Sequence, residues 1–83
     1  MFYTYIIKSQ KSGRYYTGSC HNLDIRIERH NAGATPSTKP ARQWKLVYSE
    51  SYATNSEALK REREIKTKKS RRYIEFLIES SSI

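Results

Sequence analysis

Aromatic and β-branched residues crowd positions 2–8, give way at Ser9-Gln10-Lys11-Ser12-Gly13, and return in Arg14-Tyr15-Tyr16-Thr17-Gly18. Two strand-like runs about a short Gly-containing connection predict a β-hairpin, and the shortness of the connection makes the strands antiparallel. Asn22 is placed to cap a helix that carries Leu23 and Ile27 on one face and stops at Asn31-Ala32-Gly33. From Ala34 to Ala41 the chain is small, polar and proline-broken, which predicts a loop. Trp44-Lys45-Leu46-Val47-Tyr48-Ser49-Glu50-Ser51-Tyr52 then alternates apolar with polar, as a third strand does. Regular alternation assigns Trp44 and Tyr48 to the core.

Thr54 with Glu57 three residues on forms a capping box before a charged helix over about 56–69. Ser70 can cap a last short helix whose Ile74, Leu77 and Ile78 share a face, and Ser80-Ser81-Ser82 is expected to fray. The fold class is α+β: a small antiparallel three-stranded sheet flanked by helices, in the order β-β-α-β-α-α. Residues 1–79 read as a single domain and 80–83 as a frayed tail, with no internal repeat.

Composition narrows what such a domain can do. Eighty-three residues build one modest core, which excludes a site in a cleft between two domains. Sixteen Lys and Arg against eight Asp and Glu leave a net charge of +8, an excess that favours a polyanionic partner. The single cysteine, Cys20, excludes an intrachain disulfide and a multi-cysteine zinc site and fits a reducing compartment. His21 beside it has no evident third ligand. The apolar start is too short for a signal segment or a membrane span, so the expected location is cytoplasmic.

The helices carry ionisable residues on faces that the apolar pattern assigns to the core. With Leu23 at zero and about 100° per residue, Ile27 lies near ~40°, His30 near ~340° and Arg26 near ~300°. An Arg and a His therefore flank the buried stripe of the first helix, while Arg29 points away. On the second, Glu62 falls four residues after Ala58 and three before Ile65, on the inward stripe, whereas Glu57 and Glu64 fall outside. Arg26 and His30 are suited to a phosphate or a developing oxyanion, and Glu62 to a hard cation beside it. The plain alternatives are a phosphate-binding helix without catalysis and an i, i+4 salt bridge from Glu62 to Lys66.

Tyr3-Thr4-Tyr5 on the first strand, Tyr16-Thr17-Gly18 on the second, then Arg26, His30-Asn31-Ala32-Gly33, Ser37-Thr38-Lys39, Trp44-Lys45-Leu46-Val47-Tyr48 and Ala58-Leu59-Lys60-Arg61-Glu62 follow one another in order. This series resembles the GIY-YIG nuclease family over nearly the whole chain. It looks closest to short stand-alone members similar to the N-terminal nuclease domain of the excision-repair endonuclease. Tyr3-Thr4 stands where the first motif has Gly-Ile, and Thr17 where the second has Ile.

The resemblance implies a metal-dependent endonuclease, a phosphodiester hydrolase with Tyr5, Tyr16, Arg26, His30 and Glu62 as its catalytic residues. Glu62 would be the ligand of one Mg²⁺ or Mn²⁺. One of the two tyrosines would act on the attacking water, and a phenol with a free pKa near ~10 does so only beside positive charge. Tyr3 and Tyr15 are expected on the other sheet face. The substrate is nucleic acid, DNA in preference to RNA, cut by a monomer. Between Glu57 and Arg72 eight Lys and Arg face three Glu, which makes Lys60, Arg63, Lys66 and Lys69 expected nucleic-acid contacts, joined by Lys39 and Arg42. The rival class is a non-catalytic nucleic-acid-binding module with the same fold, for which Glu62 would be a negative charge without a purpose.

Overall fold

A computed structural model describes residues 1–33 and 43–81 of the chain. The expected 34–41 loop, with Thr38 and Lys39, lies outside the described residues, as do Arg42 and the last part of the expected tail. The elements run β1 (Phe2–Ser9), β2 (Tyr15–Cys20), α1 (Leu23–Asn31), β3 (Trp44–Tyr52), α2 (Asn55–Lys68) and α3 (Arg71–Ser81). This is the α+β order read from the sequence.

The sheet is ordered β2-β1-β3 with both pairs antiparallel. β1 is therefore central, which explains why its apolar run is nearly continuous: Thr4, Tyr5, Ile6 and Ile7 are all inaccessible to solvent. The hairpin turn is held by Ser9, whose Oγ accepts from the backbone N–H of Lys11 and Ser12. Gly13 takes a φ of 76°, the left-handed conformation that this turn requires.

The helices form where capping side chains start them. Asn22 accepts from the Ile25 N–H at 3.2 Å, Thr54 from Glu57 at 3.3 Å, and Ser70 from Tyr73 at 3.1 Å. Lys69 ends α2 in the left-handed region at φ 48° and turns the chain into α3.

α1 covers one face of the sheet, packing Leu23 and Ile27 on Tyr5, Ile7, Cys20 and Trp44. α2 and α3 cover the other, where Ile65 and Leu77 meet Ile6. Tyr15 lies on that second face as expected, but Tyr3 does not: it packs with Tyr5 and Ile7 against α1. Residues two apart on a strand share a face, so Tyr3 follows Tyr5.

A register shift between Ile6 and Ile7 also breaks the regular alternation of β3. Leu46 pairs with Ile7 and Tyr48 with Ile6, leaving Val47 as an extra residue. Trp44 thus joins the α1 face, while Tyr48 packs on the α2–α3 face.

Candidate active site

Tyr5 and Gly18 are cross-strand partners on β1 and β2. The Tyr5 ring lies across the glycine: a Cβ at Gly18 would stand 2.6 Å from the Tyr5 Oη and 2.8 Å from its Cζ. The absence of a side chain there lets the phenol reach α1, where its oxygen and His30 Nε2 share a buried hydrogen bond of 2.8 Å. His30 is 1% exposed. Burial, reinforced by the Arg26 charge, lowers its pKa below the ordinary 6.5 and favours the neutral ring.

Arg26, one turn before His30, is half-buried and faces the same cluster. Burial and then the neighbouring Tyr16 push the Tyr5 phenol well above its usual pKa; Arg26 opposes that rise by its charge and as a hydrogen-bond partner. Tyr5 is thus a neutral, sequestered phenol.

Tyr16 differs because it is half-buried and sits on an edge strand. Its ring centroid is 5.0 Å from that of His30 and 6.3 Å from that of Trp44, which forms the back of the cluster. On its open side, the Lys66 Nζ lies 5.6 Å from the Tyr16 ring centroid. The same ammonium is 2.6 Å from Glu62 Oε2. The contacts thus run Tyr5 to His30 to Tyr16 to Lys66 to Glu62, passing round the free edge of β2 from the α1 face to α2.

The salt bridge from Glu62 to Lys66 weighed as the plain alternative is formed. Glu62 is nevertheless held inward, with its side chain 18% exposed against 49% for Lys66. One turn before it, the buried Thr4 hydroxyl donates to the Ala58 carbonyl oxygen at 2.7 Å and pins α2 to the central strand. Thr4 is the residue that departs from Ile in the first motif, and its hydroxyl makes that contact. Farther round the helix, Arg61 reaches Glu50 at 3.0 Å, and Glu50 also accepts from the Tyr48 and Tyr52 hydroxyls. Burial alone would raise the Glu50 carboxyl, but these three donors and the Arg61 charge outweigh it and hold it below the ordinary value.

Among the expected substrate contacts, Lys66 and Lys69 line a groove beside Tyr16. Lys60 and Arg63 line a different hollow, on the outer side of α2. Arg14 and Arg71 border the same groove as Lys66, and the sequence pattern does not single them out. Their signal is weak because one sits in a turn and the other at a helix start.

Among the described residues no three His, Cys, Asp or Glu side chains gather to hold a metal. Cys20 is buried in the α1-face core, and His21 packs its ring 5.1 Å from Phe2. The carboxylate that reaches this cluster, through Lys66, is Glu62, and it could hold a hard cation. A lone, partly exposed carboxylate suits Mg²⁺, which keeps most of its waters and takes one or two carboxylates with substrate oxygens.

A profile described as the GIY-YIG catalytic domain matches residues 1–74. UPF0213 proteins of Staphylococcus aureus strains Mu3 and N315 are each 48% identical to the chain over 66 residues, 78% of it and 79% of theirs. The solution NMR structure of a UPF0213 protein from Bacillus halodurans superposes with a TM-score of 0.61 at 31% identity, over 98% of this chain and 86% of that one.

Proposed function

The chain belongs to the GIY-YIG family, and from that premise we propose that it is a metal-dependent endonuclease hydrolysing phosphodiester bonds in nucleic acid, DNA in preference to RNA. The observation that carries the proposal is the placement of Tyr16: half-buried, flanked by His30 at 5.0 Å and by Lys66 at 5.6 Å, with Lys66 on the Glu62 carboxylate. A binding surface has no use for a carboxylate at that point.

Tyr16 is the tyrosine assigned to the attacking water. Tyr5 is fully buried, its phenol is held neutral, and its oxygen is engaged with His30. Its role is to fix the His30 ring, against which Tyr16 packs. Acting as a phenolate, Tyr16 takes the proton of the water whose oxygen bonds to phosphorus, while the bond to the leaving sugar oxygen breaks and that oxygen takes a proton from solvent. Arg26 is assigned to the charge that develops on the phosphoryl oxygens.

Glu62 would hold one Mg²⁺ or Mn²⁺, with Lys66 giving way. Bound there, the cation supplies Lewis-acid polarisation of the scissile phosphate. Under this proposal residues 1–79 act as one cytoplasmic, monomeric domain that cuts one strand per event.

The test incubates supercoiled plasmid, single-stranded DNA and RNA with the protein in Mg²⁺ or Mn²⁺, beside Glu62→Gln and Tyr16→Phe. Wild type is expected to cut, and each variant to lose on the order of 10²-fold or more of the rate. Cutting that survives both substitutions is contamination and removes the enzyme. No cutting, with equal salt-sensitive binding by wild type and Glu62→Gln, establishes the binding module instead.

A further inference from the structure

A groove of about 430 Å³ runs between the free edge of β2 and the junction of α2 with α3 and has Tyr16 in its wall. Arg14 borders it from the strand side, and Lys66, Lys69 and Arg71 border it from the helices. All four are exposed, so they form a rim. Below them lie Tyr15 and Ile74, both half-buried, with the Arg71 guanidinium 4.8 Å from the Tyr15 ring centroid. Lys66 is paired with Glu62 and Arg71 with Glu75 at 3.4 Å. Arg14 and Lys69 form no ion pair with any described residue.

An apolar floor under a cationic rim is not the surface that a duplex selects. A duplex presents phosphates outward and keeps its bases stacked inside, so it calls for charge alone. An unpaired strand presents phosphates to the rim together with sugars and base faces that gain from an aromatic and aliphatic floor.

Resting on the nuclease reading of the adjacent site, we propose that this groove binds single-stranded DNA, with Arg14, Lys66, Lys69 and Arg71 on its phosphates, and leads the strand past Tyr16. The assignment adds Arg14 and Arg71 to the substrate contacts and leaves Lys60, Arg63 and Lys68, on the outer side of α2, without one.

The experiment measures binding by fluorescence anisotropy with a chelator present, so that no cutting occurs. A labelled single-stranded DNA oligonucleotide is compared with the same sequence as a duplex across a salt series. Arg14→Gln/Lys69→Gln/Arg71→Gln is set against Lys60→Gln/Arg63→Gln/Lys68→Gln, which removes the same three charges from exposed positions on the outer side.

Wild type is expected to bind the single strand more tightly than the duplex. The groove variant should lose at least about ten-fold in affinity, about two from the salt slope, and the strand preference. The outer variant should keep the preference and stay within about three-fold of wild type. Equal weakening of both variants, or duplex binding by wild type as tight as single-strand binding, overturns the proposal. Loss of the nuclease reading has a different signature: groove-dependent strand binding remains, and no phosphodiester bond is cut in metal.

Discussion

Replacing an interior strand glycine by alanine ordinarily gains about 0.5–1 kcal/mol, because the unfolded chain loses freedom. At Gly18 the opposite sign is expected. The added methyl would meet the Tyr5 Oη at 2.6 Å and Cζ at 2.8 Å, roughly 1 Å inside ordinary contact. Tyr5 is 0% exposed and cannot retreat without leaving His30, which it holds at 2.8 Å. Overpacking costs about 1–3 kcal/mol and the displaced buried hydrogen bond about 1 more; set against the ordinary gain, the net loss is about 1–3.5 kcal/mol. In a domain of this size that lowers the Tm by roughly 4–28 °C. Thermal unfolding followed by circular dichroism measures it, and Tyr5→Phe/Gly18→Ala serves as the control. Removing the oxygen relieves the closest contact, so the double variant should be at least about 0.5 kcal/mol more stable than the two single losses summed. Gly18→Ala within about 0.5 kcal/mol of wild type, or strict additivity, would refute the account of why this position is glycine.

His30 is buried with its pKa below 6.5, so the unfolded chain binds the extra proton first. The stability it contributes is complete above about pH 6.5 and falls as the pH drops toward the folded value, by at most about 1.4 kcal/mol per pH unit. Urea midpoints at pH 7.5 and 5.5 check this, and a flat profile would contradict it. Glu50→Gln leaves Arg61 with only its longer pair to Glu64, at 3.6 Å, and misorients the acceptors for Tyr48 and Tyr52. It should cost about 1–3 kcal/mol, read as a lower urea midpoint at unchanged m. Lys66→Met removes the ammonium that competes for Glu62. Since such pairs are worth about 0.3–0.5 kcal/mol, Mn²⁺ affinity should rise about two-fold by electron paramagnetic resonance titration, whereas an unchanged or weaker affinity would argue against Glu62 as the ligand.

Local chemistry made much of this legible. The caps at Asn22, Thr54 and Ser70 each start a helix by a side chain that bonds three residues ahead, and all three form. The inward angle of Glu62 follows from helical period alone. Tyr3 was legible but wrongly placed, since parity with Tyr5 decides its face. What could not be read depends on partners distant in the chain. The reach of Lys66 to Tyr16 requires α2 to lie beside the free edge of β2, and the meeting of Arg14 with Arg71 requires the same docking. No local pattern announces either.

The extra residue in β3 sets the phase of that strand. Before it, Trp44 serves the face of His30 and Tyr16; after it, Tyr48 and Glu50 serve the face of α2. One strand thereby supplies the back wall for the Tyr16 cluster and the anchor for the helix that carries Glu62. Deleting Val47 would restore perfect alternation and rotate one end of the strand against the other. Either Trp44 would leave the tyrosines or Glu50 would leave Arg61. The two halves of the site are kept in step by an irregularity one residue long.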